Sequence, residues 1–277
     1  MKNVQMFCIS LEPNHYKFIK ELGYIPVGLG QKDFNEKWLS DRSGINISEK
    51  NKNYGEYTYH YWIWKNYLNK LGDGWIGFCQ YRKFWSQELY KTEDINFDSL
   101  NFQTLKEIPK RFEKYESILG EPIFVNQFRT MKFVKRGFKF FVKRPLTLFN
   151  EKKRNLHFHF DFMHGENNLS NAIDLLNEKN RDDFRKYVDN EVSFNPHNMF
   201  ICKSKKVLEN YYEDHFPWLE KCEKIFGFEN LKGFGKVRIY TFLAERFMPY
   251  WFKRNTKSTT MPIIFYDIRK DLNHRPL

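Results

Sequence analysis

Residues 75–85, Trp-Ile-Gly-Phe-Cys-Gln-Tyr-Arg-Lys-Phe-Trp, decide the fold. Residues 75–79 form an apolar run too short for a helix of its own, and Asp73-Gly74 turns the chain just before it. That combination reads as a buried, central parallel strand. It ends abruptly in Gln80, Tyr81, Arg82 and Lys83. Ligands of open α/β sheets bind outside the carboxyl ends of the strands, so these four are the first candidates for ligand contact. The plainer alternative is a strand running out into a solvated loop.

Upstream, Gly44, Asn46, Ser48, Asn51 and Asn53 mark a polar loop, because these residue types bond their own backbone and resist regular structure. From Tyr54 onward Tyr57, Tyr61, Trp62, Trp64 and Leu68 fall among Glu56, Tyr59, His60 and Lys65, the spacing of a helix buried on more than one face. Residues 4–11 read as a first strand and 16–22 as a short helix. Residues 24–30, Tyr-Ile-Pro-Val-Gly-Leu-Gly, read as a second strand ending in glycines. Gly28-x-Gly30 starts like a dinucleotide fingerprint, but Asp33 stands where the third glycine belongs and no clear helix follows. Either a plain turn or close backbone approach to a nucleotide accounts for the pair.

Downstream, residues 97–117 suggest a loop and an amphipathic helix with Leu105, Ile108 and Phe112 inward, and residues 118–125 another strand. His157, His159, Asp161 and His164 carry metal-ligand chemistry without an established zinc spacing. In a strand the first three would share a face, and local polar contacts are the preferred reading over a metal site. Residues 169–188 read as an exposed helix or helix pair. Residues 195–202 form a polar turn feeding a short apolar strand, and at a sheet edge such a turn presents the planar donors and acceptors of His197 and Asn198 to a ligand. A helix over 207–226, interrupted near Pro217, and another over 237–251 complete the pattern. In the last, Glu245 is either paired with Arg246 or Arg238 or aimed into a site.

At 277 residues the chain can bury a sizeable core, and with 19% aromatic residues it is not disordered. The net charge of +12 implies anionic partners: nucleotide phosphates, lipid headgroups or nucleic acid. Residues 132–154 hold nine basic residues against one acid, a net +8, interleaved with phenylalanines. Lys135, Arg136, Lys139, Lys143 and Arg144 at its centre suit an anionic membrane surface, and also single-stranded nucleic acid or a solvated loop. Cys8, Cys79, Cys202 and Cys222 lack Cys-x-x-Cys spacing and read as free thiols in a reducing compartment. The amino-terminal region has no long apolar stretch or cleavage site, and no run nears the roughly 18 apolar residues of a membrane span, so neither export through a signal peptide nor a spanning helix is expected.

Asn46-Ile47-Ser48, Asn51, Tyr54, Glu56, Thr58, Tyr61-Trp62 and Trp64-Lys65-Asn66, followed by Ile76-Gly77 and Tyr81-Arg82-Lys83, resemble the signature of a bacterial glycosyltransferase family. Its members come from capsule, exopolysaccharide and O-antigen gene clusters, and it was long catalogued as a domain of unknown function. Its blocks read NIS-x-x-N-x-x-YCELT-x-x-YW-x-WKN and IGLCHYRRYF. Asn198-Met199-Phe200-Ile201 with Tyr211 and Trp218, then Arg238 and Phe242-Leu243-Ala244-Glu245-Arg246, are similar to its NMFI and GFLAER blocks. This chain departs at Gly55 for Cys, Tyr57 for Leu, Gln80 for His, Lys83 for Arg and Thr241 for Gly. An amide does not titrate, so Gln80 binds or the activity is altered.

The resemblance implies an α/β fold: a Rossmann-like, nucleotide-sugar-binding (GT-A-like) sandwich with a mostly parallel sheet and a helical, basic appended region. Residues 1–130 would form the nucleotide-sugar half, 131–165 a basic aromatic insertion at the membrane surface, and 166–277 the acceptor half. The implied reaction moves a sugar from a UDP-hexose, UDP-galactofuranose among the candidates, onto a saccharide or lipid-linked saccharide. The implied place is the cytoplasm, peripheral on the inner face of the cytoplasmic membrane. Donor contacts are expected from Asn46, Ser48, Asn51, Tyr54, Glu56, Gln80, Tyr81, Arg82 and Lys83, and acceptor contacts from His197, Asn198 and Arg238. Many enzymes of this architecture end the strand at 75–79 in a metal-holding Asp-x-Asp. Here Gln80-Tyr81-Arg82 suggests that Arg82 and Lys83 neutralise the diphosphate with no cofactor or metal required. Glu245 is the first candidate base and Asp161 the second. The rival reading is a non-catalytic basic protein that binds nucleic acid or anionic lipid; of the two partners, nucleic acid is the less favoured.

Overall fold

A computed structural model of the chain describes residues 2–87, 95–127 and 150–270. Packing divides the chain into two compact units, Met1–Glu121 with His197–Asp214 and Phe252–Leu277, and Pro122–Pro196 with His215–Trp251. The basic residues Lys135, Arg136, Lys139, Lys143 and Arg144 lie outside the described residues.

The first unit is built on a ten-stranded sheet. Its strands are β1 (Lys2–Ser10), β2 (Ile25–Gly28), β3 (Leu39–Ser40), β4 (Trp75–Gln80), β5 (Lys83–Trp85), β6 (Glu107–Ile108) and β7 (Ser117–Gly120). After β8 (Ile123–Phe124) and β9 (Ser193–Phe194) of the second unit come β10 (Phe200–Cys202), β11 (Ser258–Met261) and β12 (Ile263–Phe265). The main order is β11-β7-β10-β4-β1-β2-β3. β1 pairs in parallel with β2 and β4, β2 with β3, and β11 with β7, whereas β10 runs against both β4 and β7. The central sheet is therefore mostly parallel, as the reading of residues 75–79 requires.

β4 sits at its centre with Trp75, Ile76, Phe78 and Cys79 at most 1% exposed. Each large side chain buried there contributes about 1.5–3 kcal/mol. Gly77 is small because Met6 Cε and Ile201 Cγ1 would stand 2.7 and 3.1 Å from a Cβ. The aromatic helix is Tyr57–Trp62, continued by a wider turn over Ile63–Tyr67, and Tyr57, Tyr59, His60, Trp62 and Ile63 are buried, which bears out a helix covered on several faces.

Several expected elements differ. The helix within 97–117 is only Phe97–Gln103, started by a capping box between Asn96 and Ser99; Thr104 is extended, and Ile108 is buried in β6 rather than on a helix. The strand at 118–125 is broken at Glu121-Pro122 into β7 and β8, because proline cannot donate to a ladder. β10 lies between β4 and β7, so the turn before it opens into the sheet's interior and not at its edge. Pro217 does not interrupt its helix, which runs unbroken over Lys205–Phe226. Burial of Phe216, Trp218 and Leu219 beside it offsets the lost hydrogen bond.

The second unit is largely helical, with Leu156–His164, Asn168–Asp174, Glu178–Asn190 and Phe234–Val237, and residues 239–251 of the helix Ile239–Asn255. The expected pair over 169–188 is present, but it buries Leu169, Ala172, Ile173, Phe184 and Val188. Phe184, Trp218, Phe247 and Tyr250 form an aromatic core, tied by Trp218 Nε1 donating to the Ala172 carbonyl at 2.7 Å. All four cysteines are free and buried. Among the described residues no helix is long and apolar enough to cross a membrane.

Candidate active site

The parallel strands end together, and β10 starts there. Antiparallel register pairs Ile201 with Gly77, and its continuation sets Asn198 beside Gln80 at the end of β4. Gln80 Nε2 donates to the His197 carbonyl at 3.1 Å and to Glu56 Oε1 at 3.3 Å. Asn198 Nδ2 donates to the same Glu56 oxygen at 3.0 Å, and Lys83 Nζ donates to Gln80 Oε1 at 3.3 Å. Glu56 opens the aromatic helix, but its carboxylate makes no capping bond; it faces this network instead. Behind it, the Tyr57 hydroxyl donates to Asn198 Oδ1 at 3.3 Å and shares a 2.9 Å bond with the Tyr211 hydroxyl. A carboxylate, two amides and an ammonium are thus fixed at the strand ends by groups that are themselves hydrogen-bonded.

His197 and Asn198 adopt left-handed backbones at φ 79° and 52°. Such conformations cost about 1–3 kcal/mol each and persist where their surroundings over-determine them, commonly at ligand sites. Here the Gln80 bond to the His197 carbonyl and the contact between the His197 and Phe265 rings, 5.4 Å apart, hold the turn.

Beside the network, Tyr81 is 8% exposed, with the His15 ring centroid 5.0 Å away. The Arg82 and Arg269 guanidinium carbons lie 4.8 and 5.7 Å from the centre of the Tyr81 ring. His15 Nδ1 is 2.7 Å from Ser10 Oγ at the end of β1. Burial, opposed by Glu12 and Asp267, lowers its pKa to about 4. Asp267 accepts from Arg269 Nε at 2.9 Å and from Arg269 Nη2, and Lys32 pairs with Glu12. His15, Asp267 and Arg269 were not among the residues expected from sequence. The only signal was Asp267-Ile268-Arg269 after an apolar run, mirroring Gln80-Tyr81-Arg82.

The signature loop is knitted to itself. Asn46 Oδ1 accepts from Ser48 N and Oγ, and Asn51 Nδ2 donates to the Gly55 carbonyl and to Thr58 Oγ1 at 2.9 and 3.1 Å. Tyr54 is buried. Gly28 is needed because a Cβ would lie 2.3 Å from the Phe34 ring, and Gly30 because its φ is 86°. Arg42 holds that loop through the Gly30 and Lys32 carbonyls.

In the second unit Glu245 is paired with Arg246 at 3.0 Å, and the buried Arg246 lies 3.7 Å over the Phe194 ring and 3.2 Å from His159 Nδ1. Arg238 stands over the Phe234 ring. Residues 157–164 are helical rather than a strand, since Asn155 caps Leu156–His164 by accepting from Phe158 N. His157 and Asp161 therefore share a face one turn apart, and His159 does not join them. His157 meets Asp189 and Ser170, His164 the Gly235 carbonyl, and Asp161 accepts from Asn167 N. Among the described residues no group of three or more His, Cys, Asp or Glu is placed to hold a metal ion. Gln80, Tyr81 and Arg82 at and after the end of β4 offer no carboxylate to a divalent cation, and the Glu56 carboxylate already accepts from Gln80 and Asn198.

A family model described as a domain of unknown function, DUF4422, matches residues 11–256. No curated protein matches the chain. Among solved structures it is similar to the apo structure of the WbbM bifunctional glycosyltransferase, with a TM-score of 0.65 and 20% sequence identity over 96% of this chain and 45% of that one. The chain thus spans less than half of that protein, and the likeness is one of fold: a GT-A-like α/β sandwich.

Proposed function

The chain belongs to the DUF4422 family, and from that premise we propose that it is a glycosyltransferase that moves a sugar from a nucleoside diphosphate donor to a saccharide or lipid-linked saccharide acceptor in surface-polysaccharide synthesis. The observation that carries this reading is the Glu56–Gln80–Asn198 network with Arg82 and Lys83 at the carboxyl end of the central strand. Nucleotide sites of open α/β sheets form there.

In this reading Arg82, aided by Lys83, neutralises the diphosphate as it leaves, since a guanidinium can pair two phosphate oxygens at once. Glu56 fixes the donor sugar or orients Arg82, and His197 and Asn198 present the acceptor turn, with Arg238 a further acceptor contact. Transfer with inversion needs a carboxylate to take the acceptor hydroxyl's proton; Glu245 is the first candidate and Asp161 the second, and Glu245→Gln and Asp161→Asn assign the role by kcat. A UDP-hexose is the proposed donor class, with the inner face of the cytoplasmic membrane as the place of work.

The first experiment is thermal stability against nucleotides and nucleotide sugars, with manganese and with chelator. A ligand at a hundredfold excess over its Kd stabilises by about 2.7 kcal/mol. A shift with a uridine diphosphate compound that survives chelator, followed by loss of transfer in Arg82→Ala, is expected. No shift with any nucleotide would overturn the reading, and an absolute manganese requirement would overturn its metal-free step.

A further inference from the structure

We propose that Arg269, positioned by Asp267, is a second diphosphate-binding cation that works with Arg82 across Tyr81; this rests on the transferase reading above. The two arginines are far apart in sequence but are brought together by strand pairing. β12 runs antiparallel to β5 with Phe265 opposite Lys83, and the pairing continues as Tyr266 N donates to the Arg82 carbonyl at 3.2 Å and Ile268 N to the Tyr81 carbonyl at 3.4 Å. Arg269 is thereby held by backbone next to Tyr81, the residue that follows β4. Its guanidinium carbon is 5.7 Å from the Tyr81 ring centre and that of Arg82 is 4.8 Å from the same point.

Asp267 determines which edge of Arg269 is available. It receives Arg269 Nε at 2.9 and 3.0 Å on its two oxygens, takes Nη2 as well, and is locked by Arg269 N on Oδ1 at 3.1 Å. A guanidinium can pair through its Nε/Nη2 side or end-on through Nη1/Nη2; Asp267 takes the first, and the second is the edge that can pair two phosphate oxygens. Partial burial raises the Asp267 pKa, but hydrogen bonds and charge from Arg269, with the charge of Arg82, outweigh it and hold the carboxyl below its ordinary range. One carboxylate therefore senses both arginines. Among the described residues, Lys32 and Glu12 also bear on this rim and pair with each other, Lys83 lies opposite Phe265, and burial keeps His15 neutral at pH 7.

The test is calorimetric binding of uridine diphosphate, guanosine diphosphate and adenosine diphosphate, with the matching nucleosides, to the full chain. The wild type is expected to prefer one diphosphate over its nucleoside. Arg269→Ala and Arg269→Gln should weaken that diphosphate tenfold or more and leave the nucleoside unchanged, with the ligand-free Tm kept because Arg269 is half exposed. Asp267→Asn should weaken the diphosphate less, and its effect should vanish in the Arg269→Ala background, which a purely structural role would not produce. Diphosphate binding as tight in both Arg269 variants as in the wild type overturns this inference and leaves the transferase reading standing. A wild type that binds no diphosphate overturns both.

Discussion

Gln80 replaces the histidine of the resembled signature, and its amide performs a task that imidazole cannot duplicate. Two donations from Nε2, to Glu56 and to the His197 carbonyl, coincide with an acceptance from Lys83. Gln80→Glu removes the donor and sets a second carboxylate against Glu56. The expected cost is roughly 1–3 kcal/mol. Urea unfolding measures it, and an unchanged midpoint would show that the two side chains do not meet. Gly55 makes a complementary case. It has φ 56° and ψ −133°, donates its N–H to the Asn51 carbonyl at 2.8 Å, and receives Asn51 Nδ2 and Thr58 Oγ1 on its own carbonyl. A side chain in that backbone region costs about 1–3 kcal/mol, so Gly55→Ala should lower Tm without changing the ligand selectivity of the folded protein. An unaltered Tm would mean that the loop relaxes freely, contrary to its bonds.

At the scale of elements, the helix Tyr57–Trp62 carries a pH dependence that follows from burial. His60 is 0% exposed, bonded through Nδ1 to the Tyr212 hydroxyl at 2.7 Å, and its desolvation lowers the pKa from 6.5 to about 3. A group that stays neutral in the fold and is protonated in the unfolded chain contributes stability fully above pH 6.5 and loses it as pH falls toward 3. The loss from His60 should reach about 2 kcal/mol by pH 5. His159 and His164, lowered to about 3 by burial and then by Arg246, act in the same direction. Denaturant midpoints between pH 7.5 and 4.5 should fall, and His60→Gln should flatten the slope; a slope unchanged in that variant would place the titration elsewhere. The same burial explains what was legible in the sequence. β4 could be read because a strand covered on both faces is a short apolar run between turn signals, and the aromatic helix because its polar positions are few. Residues 156–164 left strand and helix open, because Leu156, Phe158 and Phe160 alternate with His157, His159 and Asp161 as in a strand, and all three are buried in a helix covered widely around its axis. The apolar run before Asp267-Ile268-Arg269 hinted at β12 but not at a site, since nothing local in residues 263–269 names Tyr81 as the neighbour and only the pairing with β5 supplies it.

For the whole molecule the governing quantity is charge. A net +12, of which +8 falls in residues 132–154, produces a field that any anionic surface would sense. A transferase acting on lipid-linked saccharides gains from that attraction because it concentrates enzyme where its acceptor is held. The contribution is about 1 kcal/mol per basic residue near an anionic leaflet. Reversing Lys135, Arg136, Lys139, Lys143 and Arg144 to glutamate removes five such contributions and adds repulsion, so partition should fall by more than about a hundredfold, at roughly tenfold per 1.4 kcal/mol. Cosedimentation with vesicles of phosphatidylcholine and phosphatidylglycerol checks this, and wild-type binding should weaken as salt is raised because the charges are screened. Pure phosphatidylcholine should bind neither protein. If the transferase reading holds, turnover of a soluble acceptor analogue should be the same in the variant and the wild type, because the substitutions remove attraction to the membrane and leave the strand-end residues as they are. Equal partition of both proteins would remove the membrane from the account, and salt-sensitive binding of oligonucleotides without vesicle binding would give the segment to nucleic acid instead.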